Sequence, residues 1–244
     1  MLKIAIVGYG KMGKEIEKIL LAQNLLVSVI IDNEQDWSDS SKIKLLAASD
    51  VAVEFSQPDV AVQNILRCFD LGVSVVCGTT GWYHQMSDVL KKCQENSSSF
   101  VFGSNFSIGA NLFFDINRVV AQIMQNYTQY APSIEEIHHL AKKDAPSGTA
   151  ITTANVLLSE LQFLKEWRLQ PFDSDTKEVL PITSYREGEV TGVHKVVYNS
   201  PNDDIQIVHT AHSRAMLAEG AVKAAVWLVK NPGIYDFSKI YNQL

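Results

Sequence analysis

The chain has 244 residues, 46% hydrophobic and 20% charged, with a formal net charge of -6. That length and balance support one large core or two modest ones and exclude long disorder. An acidic surplus argues against a nucleic-acid partner, so any anion must be gripped by a local cluster of cations and backbone amides.

Taken in chain order, Lys3 to Val7 is a short apolar run ending at Gly8, which predicts a buried parallel strand. The run is too short for a signal-peptide core, and no later one reaches membrane-spanning length, so the expected location is the cytoplasm, with no membrane partner. Met12, Ile16, Ile19 and Leu20 then recur at helical spacing, with Lys14, Glu15, Glu17 and Lys18 on the opposite side. A second buried strand, Leu26 to Ile31, is closed by Asp32. Further strands are expected at Val51 to Phe55, Val73 to Cys77 and Phe100 to Phe102, with helices at 59–70 and 84–95. Strands alternating with helices imply an α/β, Rossmann-like parallel sheet, doubly wound. Cys68, Cys77 and Cys93 form no CxxC pair and read as reduced, mostly buried thiols. Small and polar residues close the strands at Gly8, Ser56-Gln57-Pro58, Gly78-Thr79-Thr80-Gly81 and Gly103-Ser104-Asn105-Phe106. That carboxyl edge is where open α/β sheets bind ligands, although such residues also make ordinary turns.

After about residue 107 the rhythm changes. A helix at 109–126, a strand from Ile134 to His138, a helix near 147–161 and strands Val193 to Tyr198 and Ile205 to Ala211 predict an α+β unit with an open, mixed sheet. The turn between the last two strands falls at 199–204. An open sheet needs a cover, and a partner subunit is a natural one. The final helix, about 213–230, carries the stripe Leu217, Ala221, Ala224 and Leu228 and is stopped by Asn231-Pro232-Gly233. The expected organisation is a dinucleotide-binding domain over 1–107, completed by the C-terminal segment 214–244, and a substrate-binding and oligomerisation domain over 108–213.

The turn Gly8-Tyr9-Gly10-Lys11-Met12-Gly13 lies between a predicted strand and a predicted helix. Its glycines would serve the tight turn, the approach of backbone to a pyrophosphate, and helix–strand packing. The pyrophosphate would meet amides at the positive helix end, and Asp32, 19 residues after Gly13, would bond ribose hydroxyls. An arginine beside the acid usually meets the 2′-phosphate of NADP, whereas the next residue here is Asn33, with Lys11 as a possible substitute. NADH or NADPH is therefore the expected cofactor, with NAD at least tolerated.

The densest polar segment runs from Glu135 to Ala150. Ser147 is a good helix N-cap, and Gly148-Thr149 in the first turn offers N–H donors to an anion. His138, His139, Lys142 and Lys143 arrive just before it, which suits a carboxylate ligand and proton transfer near neutral pH. The histidine pair could also be metal ligands, but no third ligand stands at a suitable spacing, so no metal is expected.

The run His138-His139-x-x-Lys142-x-Asp144-Ala145-Pro146-Ser147-Gly148-Thr149-Ala150 resembles the signature of the 4-hydroxy-tetrahydrodipicolinate (dihydrodipicolinate) reductase family. Gly8 to Gly13, Phe55 to Pro58, Cys77 to Gly81, Asn105-Phe106-Ser107-x-Gly109-x-Asn111 and His212-Ser213-Arg214 extend the resemblance over nearly the whole chain. The resemblance implies the nicotinamide-dependent step that makes tetrahydrodipicolinate in lysine biosynthesis via diaminopimelate. It implies His138 as general acid/base, Lys142 as proton donor, and His139, Ser147, Gly148 and Thr149 as substrate-binding. It also implies that Gly78, Thr79, Thr80, Gly103, Ser104, Asn105 and Phe106 line the nicotinamide side, and that the assembly is a homotetramer. The chain departs from the family in a shorter glycine turn, a trimmed stretch at 33–50 and Asn33 where a basic residue is common, which bears on cofactor preference. Another two-domain NAD(P)-dependent amino-acid or aldehyde dehydrogenase would explain the N-terminal half equally well, but not the His-His-x-x-Lys and Ser-Gly-Thr cluster. A non-enzymatic NAD sensor would need a partner surface, and no basic recognition helix is present.

Overall fold

The apolar run Ile4 to Val7 is fully buried in β1 (Lys3–Val7) because that strand has helices against both faces. In this computed structural model, which describes residues 1–172 and 178–244, two units separate: Met1–Ile108 with Arg214–Leu244, and Gly109–Ser213.

In the first unit β1 leads through α1 (Lys11–Ala22) to β2 (Leu26–Ile31). Two short helices, α2 (Glu34–Ser38) and α3 (Ser40–Ala47), precede β3 (Val51–Glu54), α4 (Pro58–Asp70), β4 (Ser74–Cys77), α5 (Met86–Glu95) and β5 (Phe100–Phe102). Six strands pair in parallel in the order β2, β1, β3, β4, β5 and β11 (Ile234–Asp236). Ile4, Ile6, Val53, Val76 and Val101 pack with Ile16 and Leu20 of α1 and with Ala221, Ala224 and Leu228 of α8 (Ala215–Lys230). Ala5, Ala52, Val75 and Cys77 on the other face pack with Leu46, Ile65, Phe69 and Val89 from α3, α4 and α5. Alternate residues of each strand thus feed two cores, which is why these strands read as continuous apolar runs. The three cysteines are free and buried in the second of those cores.

The helices α2 and α3 and strand β11 were not expected. At five, eight and three residues they are too short to show a period. Caps make the helices instead: Asn33 accepts from the Asp36 amide and Asp39 from those of Ser41 and Lys42.

The second unit holds most of α6 (Ile108–Met124), then β6 (Ala131–His138), α7 (Gly148–Glu160), β7 (Glu166–Leu169), β8 (Val179–Arg186), β9 (Gly192–Asn199) and β10 (Asp204–Ala211). Its sheet runs β7, β8, β6, β9, β10; β7 and β8 are parallel to their neighbours, whereas β9 and β10 are antiparallel. Strands β7 and β8 escaped the sequence reading because β7, at four residues, is too short to show alternation and Pro181 sits inside β8, where proline argues against a strand. On the inner face Ile134, Ile182, Val196 and Tyr198 pack against Phe113, Phe114, Ala154 and Leu157. On the outer face the Lys195–Glu135 ion pair at 2.6 Å lies among exposed or half-buried Ile137, Tyr185, Val193 and Val208.

Candidate active site

The glycines of the first turn divide their tasks by what a side chain would strike. Gly8 has φ +89°, and a Cβ there would lie 2.3 Å from the Phe55 carbonyl oxygen. A Cβ on Gly13 would lie 2.2 Å from the Gly8 oxygen, so the start of α1 rests directly on the strand end. A Cβ on Gly10 meets nothing within 4 Å, so its lack of a side chain serves approach from outside. Gly10, Lys11 and Met12 form one wall of a cleft of about 380 Å³ that also takes in Phe55, Ser56, Gln57, Pro58, Gly78, Thr79 and Thr80. A cradle open at Gly10, against a helix start and a strand edge, fits a dinucleotide.

Glu54, fully buried at the end of β3, organises the floor of that cleft. It accepts from the Ser56 amide at 3.1 Å, from the Ser56 hydroxyl, and from the Cys77 thiol at 3.1 Å. Thr79 Oγ1 in turn accepts from the Ser56 amide at 2.8 Å. Burial pushes the Glu54 carboxyl above the ordinary range, against these hydrogen bonds. The sequence reading passed over Glu54, an acid closing an apolar strand directly before the small polar edge.

Asp32 stands where the ribose acid was expected and accepts from the Tyr9 amide at 2.6 Å. Arg67 on α4 and Lys42 on α3 are tied to acids of α2. Arg67 forks onto Glu34 at 2.8 and 3.0 Å and stacks over Trp37, while Lys42 meets Asp36 at 2.6 Å. The Gly103–Phe106 segment corrects one detail: the Phe106 ring is 2% exposed and packs on Phe55 and Phe237, so it is a core side chain rather than a lining one.

In the second unit, sheet pairing collects groups that lie far apart in sequence. Glu136 and His138 share the buried face of β6; Ser184 and Arg186 lie beside them on β8, and His194 on β9. Glu136 is fully buried and takes the Ser147 amide on both oxygens, at 3.0 and 3.1 Å, the Ser184 hydroxyl at 2.7 Å and Arg186 at 3.5 Å. Burial works to raise its pKa, but the hydrogen bonds from Ser147 and Ser184 outweigh it and hold the carboxyl low. His138 Nδ1 lies 3.7 Å from Glu136, and the His138 and His194 rings meet edge-on at 5.0 Å. His194 Nε2 in turn lies 3.0 Å from Ser147 Oγ, which caps α7 by accepting from the Ala150 amide.

Burial pushes His138 below the ordinary imidazole value, Glu136 pulls it back up, and Lys142 and Arg186 press it down. Burial and then the His138 charge drive His194 down to about 4. His194 is therefore neutral near pH 7. Lys142 Nζ donates to both carboxylate oxygens of Asp144, at 2.7 and 2.9 Å. Arg186 holds the backbone of that loop through the carbonyls of Lys142 (3.3 Å) and Asp144 (2.6 Å). His139 is half-buried just past β6, and Gly148 is exposed at the start of α7 with nothing within 4 Å of an added Cβ.

The structure thus gathers His138, Lys142 and Ser147 with Glu136, Ser184, Arg186 and His194, which the sequence reading missed. The alternation of β6 points at Glu136; the other three depend on strand register. Glu136, His138 and His194 bring donor atoms within 4.8 Å of one another, so cross-strand pairing supplies the third group that sequence spacing lacked. The Glu136 oxygens already serve Ser147, Ser184 and Arg186, and the positive charge of Arg186 and Lys142 suits an anion rather than a cation.

Among the described residues no helix is long and apolar enough to cross a membrane. Family profiles described as dihydrodipicolinate reductase, N-terminus and C-terminus, match residues 2–106 and 109–241. A 4-hydroxy-tetrahydrodipicolinate reductase of Christiangramia forsetii is 40% identical over 243 residues, covering 100% of this chain and 99% of that one. A second, from Methanosarcina acetivorans, is 33% identical and covers 97% and 88%. A dipicolinate-bound dihydrodipicolinate reductase from Paenisporosarcina sp. TG-14 shares the fold at a TM-score of 0.77 and 21% identity, over 100% of both chains.

Proposed function

The chain belongs to the dihydrodipicolinate reductase family, pyridine-nucleotide-dependent enzymes of lysine and diaminopimelate biosynthesis, and we propose how its own residues perform that reaction. In it 4-hydroxy-tetrahydrodipicolinate takes up one hydride and one proton, and its hydroxyl leaves as water, giving tetrahydrodipicolinate. The bound dihydronicotinamide supplies the hydride. Gly8 to Gly13 hold the diphosphate at the start of α1, Asp32 holds ribose hydroxyls, and Gly78, Thr79 and Thr80, with the backbone of Gly103 to Phe106, border the nicotinamide. Ser147, Gly148 and Thr149 take a ring carboxylate at the start of α7, with His139 beside it. His138 exchanges the proton, and Lys142 donates as the hydroxyl departs. The observation that carries this reading is the buried Glu136–His138–Ser147 cluster, which sets a proton-transfer group against an anion-binding helix start.

Both reduced cofactors are accepted, with NADH favoured. The acids Asp32, Glu34 and Asp36 occupy the ribose end, and the cations Arg67 and Lys42 are already paired there, which disfavours an added 2′-phosphate. The protein works in the cytoplasm as a homotetramer closed through the outer face of its second sheet. Following absorbance loss with freshly made synthase product and each reduced cofactor tests both points. Turnover with a higher kcat/KM for NADH is expected. No turnover, or a strong NADPH preference, contradicts the reading.

A further inference from the structure

The reaction as assigned leaves one buried charge without a task. Glu136 is fully buried, and a lone carboxylate removed from water costs several kcal/mol unless it is paired and hydrogen-bonded. Its surroundings face two ways. On one side His138 Nδ1 is buried, has no hydrogen-bond partner, and lies 3.7 Å from the carboxylate. The other ring nitrogen, Nε2, faces Gly192, where an added Cβ would come within 3.1 Å. On the other side both Glu136 oxygens receive the amide of Ser147, the residue that caps α7. The charged and titratable groups facing His138 are Glu136 on its own strand, Lys142 and Asp144 from the loop before α7, Arg186 from β8 and His194 from β9. Asp144 is clasped by Lys142, so Glu136 is the carboxylate available to the Nδ1 side.

We propose that Glu136 is a positioning residue that couples proton transfer to carboxylate capture. Its charge at Nδ1 holds the His138 ring and favours the protonated form, leaving Nε2 to exchange the proton. Its bonds to the Ser147 amide aim the start of α7 at the substrate carboxylate. The inference rests on the reading of His138 as the acid and of Ser147-Gly148-Thr149 as the carboxylate cradle.

The sign of the effect is fixed. A negative charge stabilises imidazolium, so removing it lowers the His138 pKa. Because His138 acts as an acid in the reduction, kcat falls as pH rises through that pKa, and the fall begins at lower pH without Glu136. The test compares Glu136→Gln, Glu136→Asp and Glu136→Ala with the parent enzyme and His138→Ala, measuring kcat, substrate KM, the pH profile of kcat and NADH affinity. In Glu136→Gln the limb should move down by about one pH unit, with kcat about tenfold lower. Its KM should stay within about twofold, because the amide oxygen still accepts from Ser147. Glu136→Asp keeps the charge, so its limb should stay near the parent's while KM rises. Glu136→Ala should show both the limb shift and a KM raised about tenfold. A parental far-ultraviolet circular dichroism spectrum and thermal midpoint in all three show that the second unit stays folded, while NADH affinity reports only on the first. A parental pH profile in Glu136→Gln, or a parental KM in Glu136→Ala, overturns the proposal. Full activity in His138→Ala would instead overturn the site reading beneath it.

Discussion

A single side chain carries most of the chemistry assigned to the second unit. His194 is pushed down to about 4, while His138, though also held below the ordinary imidazole value, has Glu136 beside it pulling it back up, which is why the proposed mechanism gives the proton transfer to His138. His138→Ala should lower kcat by about 10²–10⁴-fold, the range for losing a general acid, while leaving NADH affinity unchanged in a binding titration. Lys142→Ala should fall in the same direction. Gly148→Val probes the carboxylate cradle rather than the acid. Nothing lies within 4 Å of its added Cβ, so the fold should hold, but the new side chain obstructs approach to α7. Substrate KM should rise by about tenfold or more with little change in kcat, as steady-state kinetics would show. Of these residues His138, Lys142 and Gly148 were legible in the sequence, because they crowd into one short segment. Ser184, Arg186 and His194 were not, because they come from β8 and β9 and reach Glu136 only through strand pairing.

At the scale of elements, packing decides what periodicity leaves open. The stripe of α8 was visible, yet its tightest contact is at a glycine. A Cβ on Gly220 would stand 1.8 Å from the Phe106 carbonyl oxygen and 3.2 Å from the Phe237 ring. The helix therefore lies directly on the segment that follows β5. Gly220→Ala should force α8 outward and destabilise the protein by about 3 kcal/mol, at the upper end of ordinary overpacking. Urea unfolding followed by tryptophan fluorescence measures that loss, and a midpoint equal to the parent's would contradict the contact. The long elements were legible from apolar spacing. The short ones, α2, α3 and β11, exist through caps and register, which leave no periodic trace.

At the scale of the whole molecule, each unit brings one helix start suited to an anion: α1 in the first and α7 in the second. The second unit also presents a sheet face with few charges, where Val208 is 52% exposed at the centre of β10. If the proposed homotetramer forms and closes through that face, Val208→Lys should yield a smaller species by light scattering, since a buried unpaired charge costs several kcal/mol. An unchanged mass would place the interface elsewhere.

Local chemistry was enough for the sequence to determine the alternating α/β half, the glycine turn with Asp32, and the His-His-x-x-Lys to Ser-Gly-Thr segment. Turn geometry, helix spacing and capping act over a few residues and leave their mark in order along the chain. Tertiary structure alone decided that Phe106 belongs to the core, that Arg186 latches the Lys142 loop, and that Ser184 and His194 close around Glu136. Those outcomes depend on which strands pair and in what register, and hydrogen bonding between strands brings together residues whose separation in sequence carries no signal of contact.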